Sequence, residues 1–117
     1  DMRDMSDLVP TLAVVAAFAQ TATTITGVGF IRKKESDRIS DLAHELRALG
    51  VSVDERQDGL TVHPSTTHAG SVDTHHDHRL AMSLALIGLV TPGVVINDPM
   101  VVSKSWPEYW QMLGALK

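Results

Sequence analysis

The clearest structural signal in the chain is a block of six polar residues at positions 33–38, five of them charged, between an apolar run and an amphipathic segment. After this block, apolar side chains recur at the spacing of one helix face, at Ile39, Leu42, Leu46 and Leu49. Ser36 is a residue type that commonly caps a helix start, and Gly50 is of a type that ends helices. The pattern therefore predicts a helix from Ser36 to about Leu49, with the charged block on its entry turn.

A helix start of this kind favours the binding of an anionic group. Free backbone N–H groups and the helix dipole make the N-terminus positive, and Lys34 and Arg38 add two cationic side chains there. A phosphate or carboxylate would be held at this point, with Glu35 close enough to transfer a proton. The alternative, which the residues alone leave open, is a solvated helix start whose charges pair with one another.

The remaining sequence alternates helical and strand-like segments. Spaced apolar residues predict a helix that begins near Ser6 or Asp7, because Pro10 is tolerated only in a first turn. Asp77 is the predicted cap of a helix with an apolar body. The apolar body of that helix is predicted at 80–89, and a closing helix at 106–116. Strands are predicted at 23–28, 51–53, 60–62 and 94–96. Turns are predicted at 57–59 and 98–99, and a loop at 64–70. This order predicts an α/β (α+β) fold.

Composition narrows the class of protein. A length of 117 residues allows one domain at most, and the start at Asp1 rather than Met leads us to expect a piece of a longer protein. The net charge of −4 argues against nucleic acid or a membrane surface as a partner. The longest apolar stretch, 80–90, is too short to span a bilayer. The absence of cysteine excludes thiolate chemistry and fits a reducing compartment, so we expect a cytoplasmic protein.

Four residues outside the charged block are further candidates for a binding or catalytic site. Asp7 lies at a predicted helix start, where the dipole favours a carboxylate, although a simple capping role fits equally well. Arg79 follows His78 on the first turn of a buried helix, so we expect its guanidinium to have a fixed partner or ligand. Lys104 lies between two serines beyond the last predicted strand, where a solvated lysine is the alternative.

The run His-His-Asp-His at 75–78 suggests a metal site, since its spacing resembles that of metallo-β-lactamase-like hydrolases. Asp73 occupies the place of the first histidine in that pattern, no later histidine follows His78, and adjacent side chains diverge. We therefore predict no metal. A better combination places cations for two anionic groups beside carboxylates for proton transfer: Lys34, Arg38 and Arg79 with Asp7 and Glu35.

Four segments taken together resemble the C-terminal portion of the 5-enolpyruvylshikimate-3-phosphate synthase family: residues 1–7, 34–38, 77–82, and 98–99 followed by 103–107. Their order and spacing fit that family throughout the chain. The resemblance implies two similar domains built from βαβαββ units, with the active site in the cleft between them. Residues 1–117 would then be a single partial domain, and its partner would be the missing N-terminal domain of the same enzyme.

By this resemblance the enzyme is a transferase of the shikimate pathway, which leads to aromatic amino acids. It moves the enolpyruvyl group of phosphoenolpyruvate to the 5-hydroxyl of shikimate 3-phosphate and releases phosphate, without a cofactor. Asp7 falls where the family has a base for the 5-hydroxyl, Lys34 where a lysine bridges both substrates, and Glu35 where a carboxylate protonates the methylene carbon. The family's groups that hold phosphoenolpyruvate fall at Arg38, Arg79 and Lys104, with His78 beside them.

One residue departs from the resemblance, and two other functions stay open. Phe30 stands where some members have a polar contact to the shikimate phosphate, so we do not transfer that contact. The related UDP-N-acetylglucosamine enolpyruvyl transferases share the fold and act on another acceptor. The chain by itself is alternatively a non-catalytic anion-binding module, because an isolated fragment lacks a closed, water-free cleft and is expected to be inactive.

Overall fold

Three α-helices and five strands form the fold in the computed structural model, which describes residues 1–34, 36–97 and 111. The helices are α1 (Val9–Ala16), α2 (Ser40–Ala48) and α3 (His78–Ala85). The strands are β1 (Thr23–Ile25), β2 (Val53–Arg56), β3 (Gly59–Val62), β4 (Gly70–Asp73) and β5 (Val94–Asn97). Short 3-10 helices lie at Arg3–Leu8, Gly29–Lys33 and Leu86–Leu89. The chain thus has the α/β class that its sequence predicts.

The strands form two separate sheets. In the first, β3 is central and pairs antiparallel with β1 and β2, with Leu60 opposite both Ile25 and Glu55. The predicted hairpin turn joins β2 to β3. In the second, β4 and β5 are parallel, and α3 lies in the connection between them. Parallel strands need such a crossover, since a tight turn cannot join them.

The core lies between the helices and the first sheet. Leu42 and Leu46 of α2 are fully buried, as the periodicity of that segment predicts. From α3, Leu80 and Leu84 enter the same core, and α1 packs against α3. The three helices are therefore fixed relative to one another by apolar contacts, and so are the polar residues at their ends.

The predicted start of α2 is wrong. Ser36 is not the N-cap, because α2 begins at Ser40 and the carboxylate of Asp37 accepts hydrogen bonds from the backbone N–H groups of Ile39 and Ser40, at 3.1 and 2.9 Å. A charged acceptor binds these amides more strongly than a hydroxyl does. The hydroxyl of Ser36 instead donates to the carboxylate of Asp77 at 2.8 Å. The charged block therefore precedes the helix rather than forming its first turn.

Other boundaries also differ from prediction. The first α-helix starts at Val9, after a 3-10 turn, with Pro10 in its first turn as expected. The strand predicted at 23–28 ends at Ile25, and the helical body predicted at 80–89 becomes a 3-10 helix from Leu86. β4 was not predicted at all. The turn at 98–99 and all but one residue of the helix predicted at 106–116 lie outside the described residues.

Gly59 marks the closest approach of the hairpin to β1. A Cβ added there would overlap the carbonyl oxygen of Ile25 and lie 2.8 Å from the carbonyl carbon of the same residue. We expect Gly59→Ala to lower the free energy of unfolding by about 2–3 kcal/mol, because backbone atoms cannot move aside without disturbing the β1–β3 pairing. Urea denaturation measures this change.

Gly88→Ala is the matched control, since the nearest atom to an added Cβ there is 3.8 Å away, on Val94. Equal losses of stability in the two variants would show that close packing at Gly59 is not the cause.

Among the described residues, no helix combines the length and the apolar character needed to cross a bilayer.

Candidate active site

A buried ion pair between Arg38 and Asp77 forms the centre of the candidate site. The guanidinium Nε donates to Asp77 Oδ2 at 2.7 Å and Nη2 donates to Asp77 Oδ1 at 3.2 Å, so the contact is bidentate. The Arg38 side chain is 3% exposed and that of Asp77 is 0% exposed. Bidentate geometry fixes the plane of the guanidinium as well as its position.

Asp7 and Arg79 extend this pair towards solvent. The remaining Arg38 amino group, Nη1, donates to Asp7 Oδ1 at 3.1 Å, and the second Asp7 oxygen lies 3.6 Å from Arg79 Nη2. The Asp7 and Arg79 side chains are 54% and 42% exposed. The network therefore runs from a buried charge pair to a carboxylate and a guanidinium that a ligand can reach.

The ends of three segments bring these side chains together. Asp7 belongs to the 3-10 turn that leads into α1, and Arg38 lies just before α2. Asp77 is the N-cap of α3, where its carboxylate accepts a hydrogen bond from the Arg79 N–H at 2.9 Å. Because α3 starts at this point, its positive end faces the same carboxylate. Helix packing thus determines where the charges meet.

The charges of the network balance one another. Burial alone would raise the pKa of Asp77, but hydrogen bonds from Arg38 and Ser36 and the positive charge of Arg38 outweigh it and lower that pKa below its ordinary value of 3.8. Asp77 is therefore ionised at neutral pH and offsets the charge of Arg38. Asp7 is shared between two guanidinium groups, and one of them, Arg79, is 42% exposed, so an anionic ligand can reach it.

Two of the other predicted residues, Lys34 and His78, lie in the described part of the chain. Lys34 is exposed, and its ammonium lies over the Phe30 ring, 5.7 Å from the ring centre. His78 is the first residue of α3 and is partly buried beside Arg79. Glu35 and Lys104 lie outside the described residues. Of the predicted site residues that the structure describes, Asp7 contacts both Arg38 and Arg79.

Sequence reasoning missed two members of this network. Asp77 was predicted only as a helix cap, and Ser36 was predicted as a cap of a different helix, whereas both hold the Arg38 pair. An aspartate directly before a buried helix is visible in the sequence, but its contact with a residue 39 positions away is not. Arg38, which we expected to face a ligand, lies behind Asp7 and is almost fully buried.

The histidine run does not form a metal centre within the described part of the chain. No group of three or more histidine, aspartate or glutamate side chains is arranged there to hold a metal ion. The imidazole of His75 instead contacts Glu45, 2.7 Å from its carboxylate.

An α/β domain that presents an exposed guanidinium at a helix start, as Arg79 does on the first turn of α3, has a group suited to binding an anionic small molecule. The model of the family EPSP synthase (3-phosphoshikimate 1-carboxyvinyltransferase) matches residues 1–113. The chain belongs to this family.

Individual relatives agree with this assignment. The 3-phosphoshikimate 1-carboxyvinyltransferase of Methanosphaerula palustris is 51% identical over 98% of this chain and 27% of that protein. The enzyme of the same name from Trichormus variabilis is 46% identical over 94% of this chain and 26% of that protein. A solved EPSP synthase structure from Acinetobacter baumannii superposes with a TM-score of 0.85 at 32% identity, covering 92% of this chain and 26% of that one. The chain thus spans about a quarter of the length of the relatives it matches.

Proposed function

We propose that the protein containing this chain transfers the enolpyruvyl group of phosphoenolpyruvate to the 5-hydroxyl of shikimate 3-phosphate and releases phosphate. The chain would supply one side of the active site, in the cytoplasm, as part of aromatic amino acid biosynthesis. The observation that carries this proposal is the contact of Asp7 with both Arg38 and Arg79 in a chain that belongs to the EPSP synthase family.

The chemistry requires a base, a proton donor and cations. Asp7 has a half-exposed carboxylate whose position is set by two guanidinium groups, as a base on a substrate hydroxyl needs. Arg79 is exposed enough to bind the carboxylate or phosphate of phosphoenolpyruvate. Lys34 would bridge the two substrates. Glu35 would deliver a proton to the methylene carbon while the hydroxyl oxygen, losing its proton to Asp7, bonds to the neighbouring carbon of the enol. Loss of a proton from the resulting methyl group to a base, with cleavage of the bond between that neighbouring carbon and the phosphate oxygen, would then restore the double bond and release phosphate.

Binding of phosphoenolpyruvate would also require further cationic groups of this chain and the N-terminal domain of the enzyme. Lys104 would join Arg79 and His78 in holding phosphoenolpyruvate, and the missing N-terminal domain would close the cleft over residues 1–117, a single partial domain. An exposed apolar groove supports this division, because such a face is usually covered in a complete protein. The groove is lined by Met2, Met5, Leu8, Thr11, Leu12 and Val15.

Phosphate release tests the proposal directly. The full-length protein should release phosphate only when both phosphoenolpyruvate and shikimate 3-phosphate are present, and the isolated chain should release none. Turnover with UDP-N-acetylglucosamine in place of shikimate 3-phosphate would transfer the assignment to the related transferases. Phosphate binding by the isolated chain, together with no phosphate release by the full-length protein with either acceptor, would favour the anion-binding module.

A further inference from the structure

An unusual backbone turn precedes Asp77. His75 and His76 both have left-handed backbone angles, with φ of 52° and 57°, and neither is glycine. Two consecutive non-glycine residues of this kind are rare and persist only where surrounding contacts hold them in place. The turn connects β4 to Asp77, the N-cap of α3. Its shape therefore sets the direction in which the Asp77 carboxylate points.

A buried carboxylate of α2 helps to hold this turn. Glu45 of α2 is 4% exposed, and its Oε2 lies 2.7 Å from Nε2 of His75. Its other oxygen accepts a hydrogen bond from the Asp73 N–H at 3.0 Å. The Asp73 carboxylate in turn accepts from the His75 N–H at 2.9 Å. Glu45 thus ties α2 both to the end of β4 and to the imidazole of the left-handed turn.

We propose that Glu45 and His75 are positioning residues for Asp77 and, through it, for the Arg38 guanidinium. Neither is hydrogen-bonded or ion-paired to the site residues that the structure describes, Asp7, Arg38, Asp77 and Arg79. They hold the turn that places the α3 cap against Arg38, which lies just before the helix that carries Glu45. Glu45 in α2 and Arg38 in the segment that leads into α2 are therefore held on the same part of the chain. Any effect on catalysis rests on the proposed function, whereas the effect on Arg38 does not.

The position of this turn should respond to pH. The His75 ring faces Glu45 and Asp41 of α2, the latter 3.8 Å from its Nδ1, and Asp73 of β4 also lies nearby. His44 of α2 lies 3.8 Å from the same Glu45 oxygen. Burial alone would lower the pKa of His75, but the hydrogen bond to Glu45 and the three negative charges outweigh it and raise the pKa above 6.5.

The sign of the pH effect follows from that direction. A group whose pKa is raised on folding stabilises the folded state fully below its unfolded value of 6.5, and this contribution is lost as the pH rises through the folded value. Neutral imidazole still donates to Glu45, but without the charge. The turn should therefore be held most firmly in mildly acidic solution and loosen in alkaline solution.

The side-chain Nε–Hε resonance of Arg38 tests the proposal, since this group donates to Asp77. In the full-length protein labelled with 15N-arginine, the resonance should shift with pH, with a midpoint above 6.5 that matches the titration of His75. Arg38→Lys assigns the signal. His75→Gln keeps a neutral donor at the place of Nε2 and cannot titrate, so the resonance should stay near its alkaline position at every pH. His75→Ala should displace or broaden it.

His63→Gln is the matched control, because His63 is also hydrogen-bonded to a carboxylate, that of Asp54, but lies in the β-hairpin region. It should leave the Arg38 titration unchanged. The proposal would be overturned if the Arg38 resonance did not change as His75 titrates. It would also be overturned if the resonance shifted with pH in His75→Gln as it does in the parent protein. This readout needs no turnover, so it separates failure of the positioning role from failure of the proposed function.

Discussion

Asp77→Asn should lower the free energy of unfolding by about 3–5 kcal/mol, the usual cost of removing one partner of a buried ion pair. Asparagine has nearly the size of aspartate and caps helices equally well, so it can still accept a hydrogen bond from the Arg79 N–H. What it removes is the closest negative charge to Arg38, whose side chain is 3% exposed. Chemical denaturation followed by circular dichroism measures the loss.

Two variants isolate the cause of this loss. Asp54→Asn makes the same change in an exposed carboxylate that is hydrogen-bonded to His63, and it should leave the denaturation midpoint unchanged. Adding Arg38→Met to Asp77→Asn removes the unpaired buried charge and should recover most of the lost stability. A double variant as unstable as Asp77→Asn alone would contradict the charge-pair explanation and point to packing instead.

The effect of Asp77→Asn on the free energy of unfolding should depend on pH. Because the pKa of Asp77 is lowered on folding, its contribution is present above the ordinary value of 3.8 and is lost as the pH falls through the lowered folded value. The difference in stability between the parent and Asp77→Asn should therefore be constant at neutral pH and narrow only in strong acid.

Glu35→Gln in the full-length protein should lower kcat by about 10²–10⁴-fold with little change in KM. Glutamine keeps the size of glutamate but cannot deliver a proton to carbon, so the loss falls on the chemical step. Arg79→Ala should instead raise the KM for phosphoenolpyruvate, because it deletes an exposed guanidinium before any chemistry begins. Steady-state kinetics with both substrates separate the two effects.

Glu55→Gln is the control for this comparison, since it makes the same chemical change in a β2 carboxylate that pairs with Arg32. Its kinetic constants should match those of the parent. Near-normal turnover in Glu35→Gln would show that Glu35 is not the proton donor. The alternative, a charge that pairs with a neighbouring cation, would then apply.

Local patterns predicted the parts of the fold that local energetics determine. The buried leucines of α2, the hairpin at Gln57 and Asp58, and the cap at Asp77 all follow from periodicity, turn chemistry and capping. The start of α2 was misplaced because Ser36 and Asp37 are adjacent and both can cap. Only the tertiary structure shows that Ser36 is already engaged with Asp77.

Tertiary pairing accounts for what the sequence could not predict. β4 contains a glycine, a serine and an aspartate around the single apolar residue Val72, which gives it little strand propensity. It is a strand because β5 pairs beside it. Likewise, the sequence predicts Asp7, Arg38 and Arg79 as members of one site, but it predicts Asp77 only as a helix cap, because the contact of Asp77 with Arg38 is made by the fold.

The spacing of the ion-pair network along the chain has a kinetic consequence. The Asp7–Arg38 contact joins residues 31 positions apart, and the Arg38–Asp77 contact joins residues 39 positions apart. Each closes a long loop, and loop closure costs chain entropy before the contact can repay it. Interactions of this range slow folding relative to local helix formation. In a partly folded chain in which these loops are open, local helices and the hairpin can form before Asp7, Arg38 and Asp77 come together.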